Sequence, residues 1–183
     1  VFHDHEPHPD QRLTTAGVLA VSSNTGSIKI GEMLSNDKLY DYLTKFGIGT
    51  KTGSGLPGES RGILPKVADW SGTTAPTVAF GQGYSLTAMQ ATSVFATIAN
   101  DGVRVSPTVI AGKSDSSGNY TPSATRESVR VISSDTAAKM RLMMESVVSS
   151  NGTAPSAAIP GYRVAGKTGT AQRIDDTCGC YRG

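Results

Sequence analysis

The ten residues Arg163-Val164-Ala165-Gly166-Lys167-Thr168-Gly169-Thr170-Ala171-Gln172 restrict the fold more than any other stretch, because they set an ammonium, two hydroxyls and an unobstructed backbone along one short extended segment. In a strand side chains alternate, so Lys167 is predicted on one face with Gly169 and Ala171, and Thr168 and Thr170 on the other. Gly166 and Gly169 let another backbone approach closely. Such an edge suits an extended peptide, with Lys167 and the threonine hydroxyls available to a carboxylate. The competing reading is an exposed strand with a solvated lysine.

The rest of the chain must support that edge with short elements. Twenty-one glycines and nine prolines in 183 residues imply many turns, and 37% hydrophobic with 6% aromatic content fills a lean core. The length fits one domain or a large piece of one. A formal charge of +2 spread along the chain makes no electrostatic case for nucleic acid. No apolar run approaches the roughly 20 residues that cross a bilayer, and no signal-peptide pattern opens the chain. It begins at Val1 without an initiator methionine, which leads us to expect a fragment or processed product.

His3-Asp4-His5-Glu6-Pro7-His8-Pro9-Asp10 holds all three histidines. Its prolines deny ligands a regular backbone, so it reads as a solvated loop rather than a metal site. Thr14 or Thr15 caps a short apolar helix that runs into Ser22-Ser23-Asn24, and a second helix starts near Thr25 with Ile30, Met33 and Leu34 on one side. The triplet either forms a cleft wall at this junction or merely caps the second helix. Leu39, Tyr42, Leu43 and Phe46 mark a helix from about Asn36, stopped by Gly47. A Gly/Pro-rich loop follows and contains a second Lys-Thr-Gly, Lys51-Thr52-Gly53, read as a decoy because no strand alternation displays its lysine. Thr87 and Gln90 form a capping box, with Ala91, Val94, Phe95 and Ile98 predicted inward. Strands are predicted over Val103 to Ala111 and Val129 to Ile132, with a hairpin tip from Lys113 to Gly118. Ser133 or Ser134 opens a last helix whose Met140, Met143, Met144, Val147 and Val148 face the core as packing residues.

Taken together, Ser22-x-Asn24, Phe80-Gly81-Gln82-Gly83 and Gly166-Lys167-Thr168-Gly169-Thr170-Ala171-Gln172 resemble the transpeptidase domain of class B penicillin-binding proteins, the septal cell-division type in particular. The loop from Phe46-Gly47-Ile48-Gly49 through Gly55-Leu56-Pro57-Gly58-Glu59 is also similar to that family. The resemblance spans nearly the whole chain. It implies an α+β fold of the penicillin-binding-protein and serine β-lactamase type, with an antiparallel central sheet packed between helices and a helical subdomain. It also implies an acyl-serine enzyme that crosslinks peptidoglycan stem peptides and is acylated by β-lactams, with no cofactor or metal. The implied location is the extracytoplasmic face of the bacterial membrane, held by an anchor helix outside this chain, with divisome and glycan-polymerase membrane proteins as partners.

Such chemistry carries Ser-x-x-Lys, then Ser-x-Asn, then Lys-Thr-Gly. Ser35-Asn36-Asp37-Lys38 fits the first pattern but follows Ser22-x-Asn24, the wrong order, and Ser35 is better explained as a helix cap. The expectation is that residues 1–183 are an incomplete transpeptidase domain, with the nucleophile and its lysine upstream of Val1. The last strands are expected to be missing too, leaving the segment after Asp176 as a turn toward an absent strand. Cys178 and Cys180, one residue apart, are poorly spaced to bond each other without strain.

Role by role, the resemblance implies that Ser22 relays a proton between the missing lysine and the leaving amine, and that Asn24 hydrogen-bonds the ligand amide. Lys167 sets a positive field, and Thr168 and Thr170 grip the terminal carboxylate of a D-Ala-D-Ala peptide. Ser23 and Gly169 complete the substrate-binding set, and the Thr170 N–H serves an oxyanion hole. One conflict stands: on an ideal strand Lys167 and Thr168 face opposite ways. Two other readings share these motifs, a non-catalytic β-lactam sensor or divisome module and a β-lactamase. The latter is not expected to carry the segments from Phe80 to Gly83 and from Gly55 to Glu59.

Overall fold

The computed structural model describes residues 1–183 except Thr125, Gln172, Asp176, Gly179 and Gly183, with Arg173–Asp175 and Cys180–Arg182 described by their backbone. The chain divides into two compact units, one of Val1–Leu39, Pro65–Tyr84 and Lys139–Gly183, the other of Tyr40–Leu64 and Ser85–Ala138.

In the first unit, α1 (Thr15–Ala20) starts as predicted, its cap hydroxyl on Thr14 accepting from the Gly17 N–H. It ends in a Schellman motif: Ser22 N–H donates to Leu19 O at 3.2 Å, and Ser23 N–H to Val18 O at 3.0 Å. The left-handed position of that motif usually takes glycine, but here it is Ser22, at φ +56°. α2 (Asn24–Gly31) follows at once, capped by the Ser23 hydroxyl, which accepts from Gly26 N–H at 2.9 Å.

Two glycines let α2 pack. A Cβ on Gly26 would lie 2.7 Å from a Val18 methyl, and one on Gly31 2.7 Å from the Ala79 Cβ of α4 (Thr74–Ala79). The expected apolar face of α2 is corrected: Ile28 is buried, whereas Ile30, Met33 and Leu34 are exposed, Met33 by 81%. The helix stops at Gly31, so helical spacing no longer places Met33 and Leu34. α6 (Ser134–Val148) carries Met144, Val147 and Val148 into the interior with Val18, Ala20, Ile28 and Val78.

Residues 163–171 form no ladder, against the predicted strand. They are tied to α6 instead, by an Arg163–Glu145 ion pair at 2.8 Å and a Gly166 N–H to Met144 O bond at 3.3 Å. Pairing begins beyond them, where Arg173–Asp175 and Cys180–Arg182 form an antiparallel hairpin. The turn therefore leads to a strand that is present, correcting the expectation of an absent one, while Asp176 itself lies outside the described residues. Cys178 is disulfide-bonded.

The second unit is organised by α5 (Ala88–Ala99), which opens with the predicted capping box. Gln90 is 1% exposed, and its Nε2 donates to the carbonyls of Gly47, Thr50 and Arg61 at 3.2, 2.7 and 2.9 Å. One cap residue thus satisfies the backbone of a loop that has no ladder of its own. Phe95 is exposed rather than inward, because Gln90 and Thr97 define the buried side.

In chain order, β1 (Val103–Val105) pairs antiparallel with β4 (Ser128–Arg130), and β2 (Gly112–Ser114) with β3 (Tyr120–Pro122). Lys113 and Ser114 are hence strand residues, and the tip is the turn in which the Asp115 carboxylate accepts the Ser117 and Asn119 N–H groups. Helix α3 (Asn36–Lys45) is capped by Ser35, which accepts from Lys38 N–H at 3.3 Å. Where one central sheet was expected, the strands among the described residues pair two by two, and helices with small antiparallel sheets make an α+β architecture.

Candidate active site

Residues 145 positions apart meet in the first unit, where Lys167 Nζ donates to Ser22 Oγ at 2.6 Å and to the Thr168 carbonyl at 2.9 Å. Burial pushes the Lys167 ammonium below the usual lysine range. Because Ser22 Oγ accepts from the ammonium, its own proton is left to donate elsewhere. Its left-handed backbone costs roughly 1–2 kcal/mol, the kind of strain that persists when surroundings over-determine a position.

A cleft of about 650 Å³ opens here, and Ser22, Asn24, Lys167, Thr168, Gly169 and Thr170 all line it. The face conflict expected of Lys167 and Thr168 disappears, since residues 163–171 are not held in the alternation of a ladder. Thr168 Oγ1 lies 2.8 Å from Thr153 Oγ1, and the Thr153 N–H donates to Ala20 O at the end of α1. Thr153 thus ties the Lys-Thr-Gly segment to the Ser-x-Asn corner, a role that no sequence pattern signals.

Ser23 does not line the cleft. It is 4% exposed, and its hydroxyl donates to Asp4 Oδ2 at 2.8 Å while capping α2, so it is a corner-building residue rather than a substrate ligand. Ser35 and Lys38 also lie outside the cleft, with Ser35 as a cap. Lys51-Thr52-Gly53 lies in a loop that closes on a carboxylate: Thr52 N–H donates to Glu59 Oε1 at 2.6 Å, joined by the Thr52 hydroxyl and by Ser54 Oγ at 3.4 Å. Those bonds, led by the Thr52 hydroxyl, hold the Glu59 carboxyl below its usual range.

The N-terminal segment also lines the cleft, with Asp4, His5 and His8 among its residues. As expected it is a largely exposed loop, but one anchored at Asp4. Asp4 Oδ1 accepts from Thr25 N–H at 2.8 Å and Thr25 Oγ1 at 3.2 Å, and Asp4 Oδ2 from Ser23 Oγ and His8 Nε2, each at 2.8 Å. Burial works against the charge, yet these donors outweigh it and hold the Asp4 carboxyl at about 2. Both His8 ring nitrogens face acceptors, Pro9 O and Asp4 Oδ2, which raises its basicity. Asn24 Nδ2 donates to His3 O at 3.0 Å, and Phe2 packs edge-on against Phe80, another cleft residue, with centroids 5.8 Å apart.

The sequence profile of the penicillin binding protein transpeptidase domain matches residues 2–183. The chain belongs to the penicillin-binding-protein transpeptidase family. It is 43% identical over 185 residues to penicillin-binding protein PbpB of Mycobacterium tuberculosis, covering 98% of this chain and 27% of that protein. It is 38% identical over 162 residues to the peptidoglycan D,D-transpeptidase FtsI of Escherichia coli K12, covering 88% of this chain and 26% of that one. The crystal structure of penicillin binding protein 3 from Mycobacterium tuberculosis, complexed with aztreonam, superposes with a TM-score of 0.96 at 43% identity. That match covers 99% of this chain and 42% of the solved one, so the penicillin-binding-protein fold is shared and the chain spans well under half of these relatives.

Proposed function

We propose that this chain is the carboxylate-binding and proton-relay part of a peptidoglycan D,D-transpeptidase, which crosslinks D-Ala-D-Ala stem peptides through an acyl-serine and is acylated by β-lactams. The observation that carries the reading is the 2.6 Å contact of Lys167 Nζ with Ser22 Oγ, which joins the two family motifs in one cleft. In the family order the attacking serine and its lysine, in a Ser-x-x-Lys pattern, come ahead of Ser22-x-Asn24, and residues 1–21 contain no serine. That serine attacks the carbonyl of the penultimate residue as its lysine takes the hydroxyl proton, and Ser22, held by the Lys167 ammonium, passes that proton from the lysine to the leaving amine as the peptide bond breaks.

The terminal carboxylate, or its β-lactam equivalent, is gripped by the hydroxyls of Thr168 and Thr170 beside the Lys167 charge. Thr153 extends that grip, because Thr168 can accept from its hydroxyl while donating to the ligand. The same molecule offers a precedent at Lys51-Thr52-Gly53-Ser54, where amide and hydroxyls already hold a carboxylate, that of Glu59. The whole protein works at the extracytoplasmic face of the membrane, anchored by a helix outside this chain, alongside divisome and glycan-polymerase proteins. The name of one relative, the peptidoglycan D,D-transpeptidase FtsI, supports a peptidoglycan substrate.

The test is covalent labelling of the full-length protein by a fluorescent penicillin, together with crosslinking of stem-peptide substrate. Labelling that disappears in Lys167→Ala, with crosslinking in the wild type, is expected. An unlabelled wild type removes the proposal, and labelling without crosslinking leaves a β-lactam sensor.

A further inference from the structure

Something must hold Ser22 in its left-handed conformation. The Schellman bonds to Leu19 and Val18 fix the backbone on the α1 side. On the α2 side, one carboxylate does much of the work. Asp4 gathers Thr25 N–H, Thr25 Oγ1 and Ser23 Oγ, so it binds an otherwise unpaired N–H of the first helical turn and the very hydroxyl that caps that turn. A carboxylate at a helix start is also favoured by the helix dipole.

The neighbouring residue acts on Asn24. His3 O accepts from Asn24 Nδ2 at 3.0 Å, and the opposite flip would set two acceptors against each other. One N–H is thereby committed, and the plane of the carboxamide is set for the atoms presented to the cleft.

We infer that Asp4, with the His3 carbonyl beside it, is a positioning residue for acylation: it sets the Ser22–Asn24 corner from a segment that precedes it in the chain. Asp4 acts through Ser23 and Thr25, and Asn24 through the carbonyl that the anchored segment delivers. The inference rests on the transpeptidase reading above. It separates Asp4 from the carboxylate grip at Lys167, Thr168 and Thr170, to which Asp4 makes none of its four bonds.

That separation supplies the test. In the full-length protein, stopped-flow acylation by a fluorescent penicillin gives the binding constant K and the acylation rate constant k2, and a thermal melt reports folding. Misplacing a reacting group by about 1 Å costs on the order of 100-fold, so Asp4→Ala should lower k2 by roughly 10- to 100-fold, leaving K within about threefold. Asp4→Asn, which keeps an oxygen for Thr25, should fall in between. It also carries the test if Asp4→Ala does not fold. A k2 at the wild-type value in folded variants, even with a lowered melting temperature, overturns the inference, because a purely structural residue would change only the melt. An equal loss in K and k2 would also overturn it. Failure of the wild type to acylate at all would instead end the transpeptidase reading.

Discussion

Replacing Ser22 by alanine and by glycine separates backbone strain from the lost hydroxyl. Both variants take the acceptor away from Lys167, so that loss, about 1.5–3 kcal/mol for a hydrogen bond to a charged group, cancels between them. What differs is the φ of +56°. An alanine there keeps the left-handed penalty of roughly 1–2 kcal/mol, and glycine escapes it. Glycine also frees the unfolded chain, which returns about 0.4–1 kcal/mol. Ser22→Gly should thus be more stable than Ser22→Ala by roughly 0.5–1 kcal/mol, reversing the order of about 1 kcal/mol found inside helices. The assay is the urea midpoint of the transpeptidase domain at equal slope, with penicillin acylation lost in both variants. Alanine equal to or better than glycine would show that Ser22 is not left-handed in solution and remove the strain argument.

Acid stability tests the Asp4 cluster. Its carboxyl lies at about 2 rather than the ordinary 3.8, so its contribution, about 2 kcal/mol, is full above pH 4 and fades as pH falls through 2. Wild type should lose that amount over this window and Asp4→Asn should not, and parallel urea midpoints would contradict the cluster. Thr168→Val removes one hydroxyl from the carboxylate grip and should slow β-lactam acylation about 10- to 100-fold, whereas unchanged rates would take Thr168 out of the site. Gln90→Leu strips the carbonyls of Gly47, Thr50 and Arg61 of their buried donor. It should cost about 3 kcal/mol, and a melting temperature within a degree of wild type would refute that role.

Local chemistry was legible where partners are close in sequence. The Thr87–Gln90 capping box and the Ser35 and Thr14 caps each bond within three residues, and short-range patterns find them. What failed depended on distant contacts. Met33 and Leu34 lie exposed beyond the end of α2, whose Gly31 packs close to Ala79 of another helix. The Lys-Thr-Gly segment joins no ladder among the described residues, and its hold is on α6 through Arg163 and Gly166. Asp4 escaped notice because its partners Ser23 and Thr25 lie 19 and 21 residues away. Lys167 stood out in its own short stretch and Ser22 and Asn24 at a helix junction, the family resemblance supplied their roles, and only the fold brings Ser22 within 2.6 Å of Lys167.

On the transpeptidase proposal, the Lys167–Thr170 segment and the Ser22–Asn24 corner serve one ligand. A crystal structure of the full-length protein acylated by a penicillin tests it most directly. The penicillin carboxylate is expected within hydrogen-bond distance of the Thr168 and Thr170 hydroxyls, with the side-chain amide of the drug on Asn24. An acylated drug whose carboxylate and amide both lie away from these residues would contradict it.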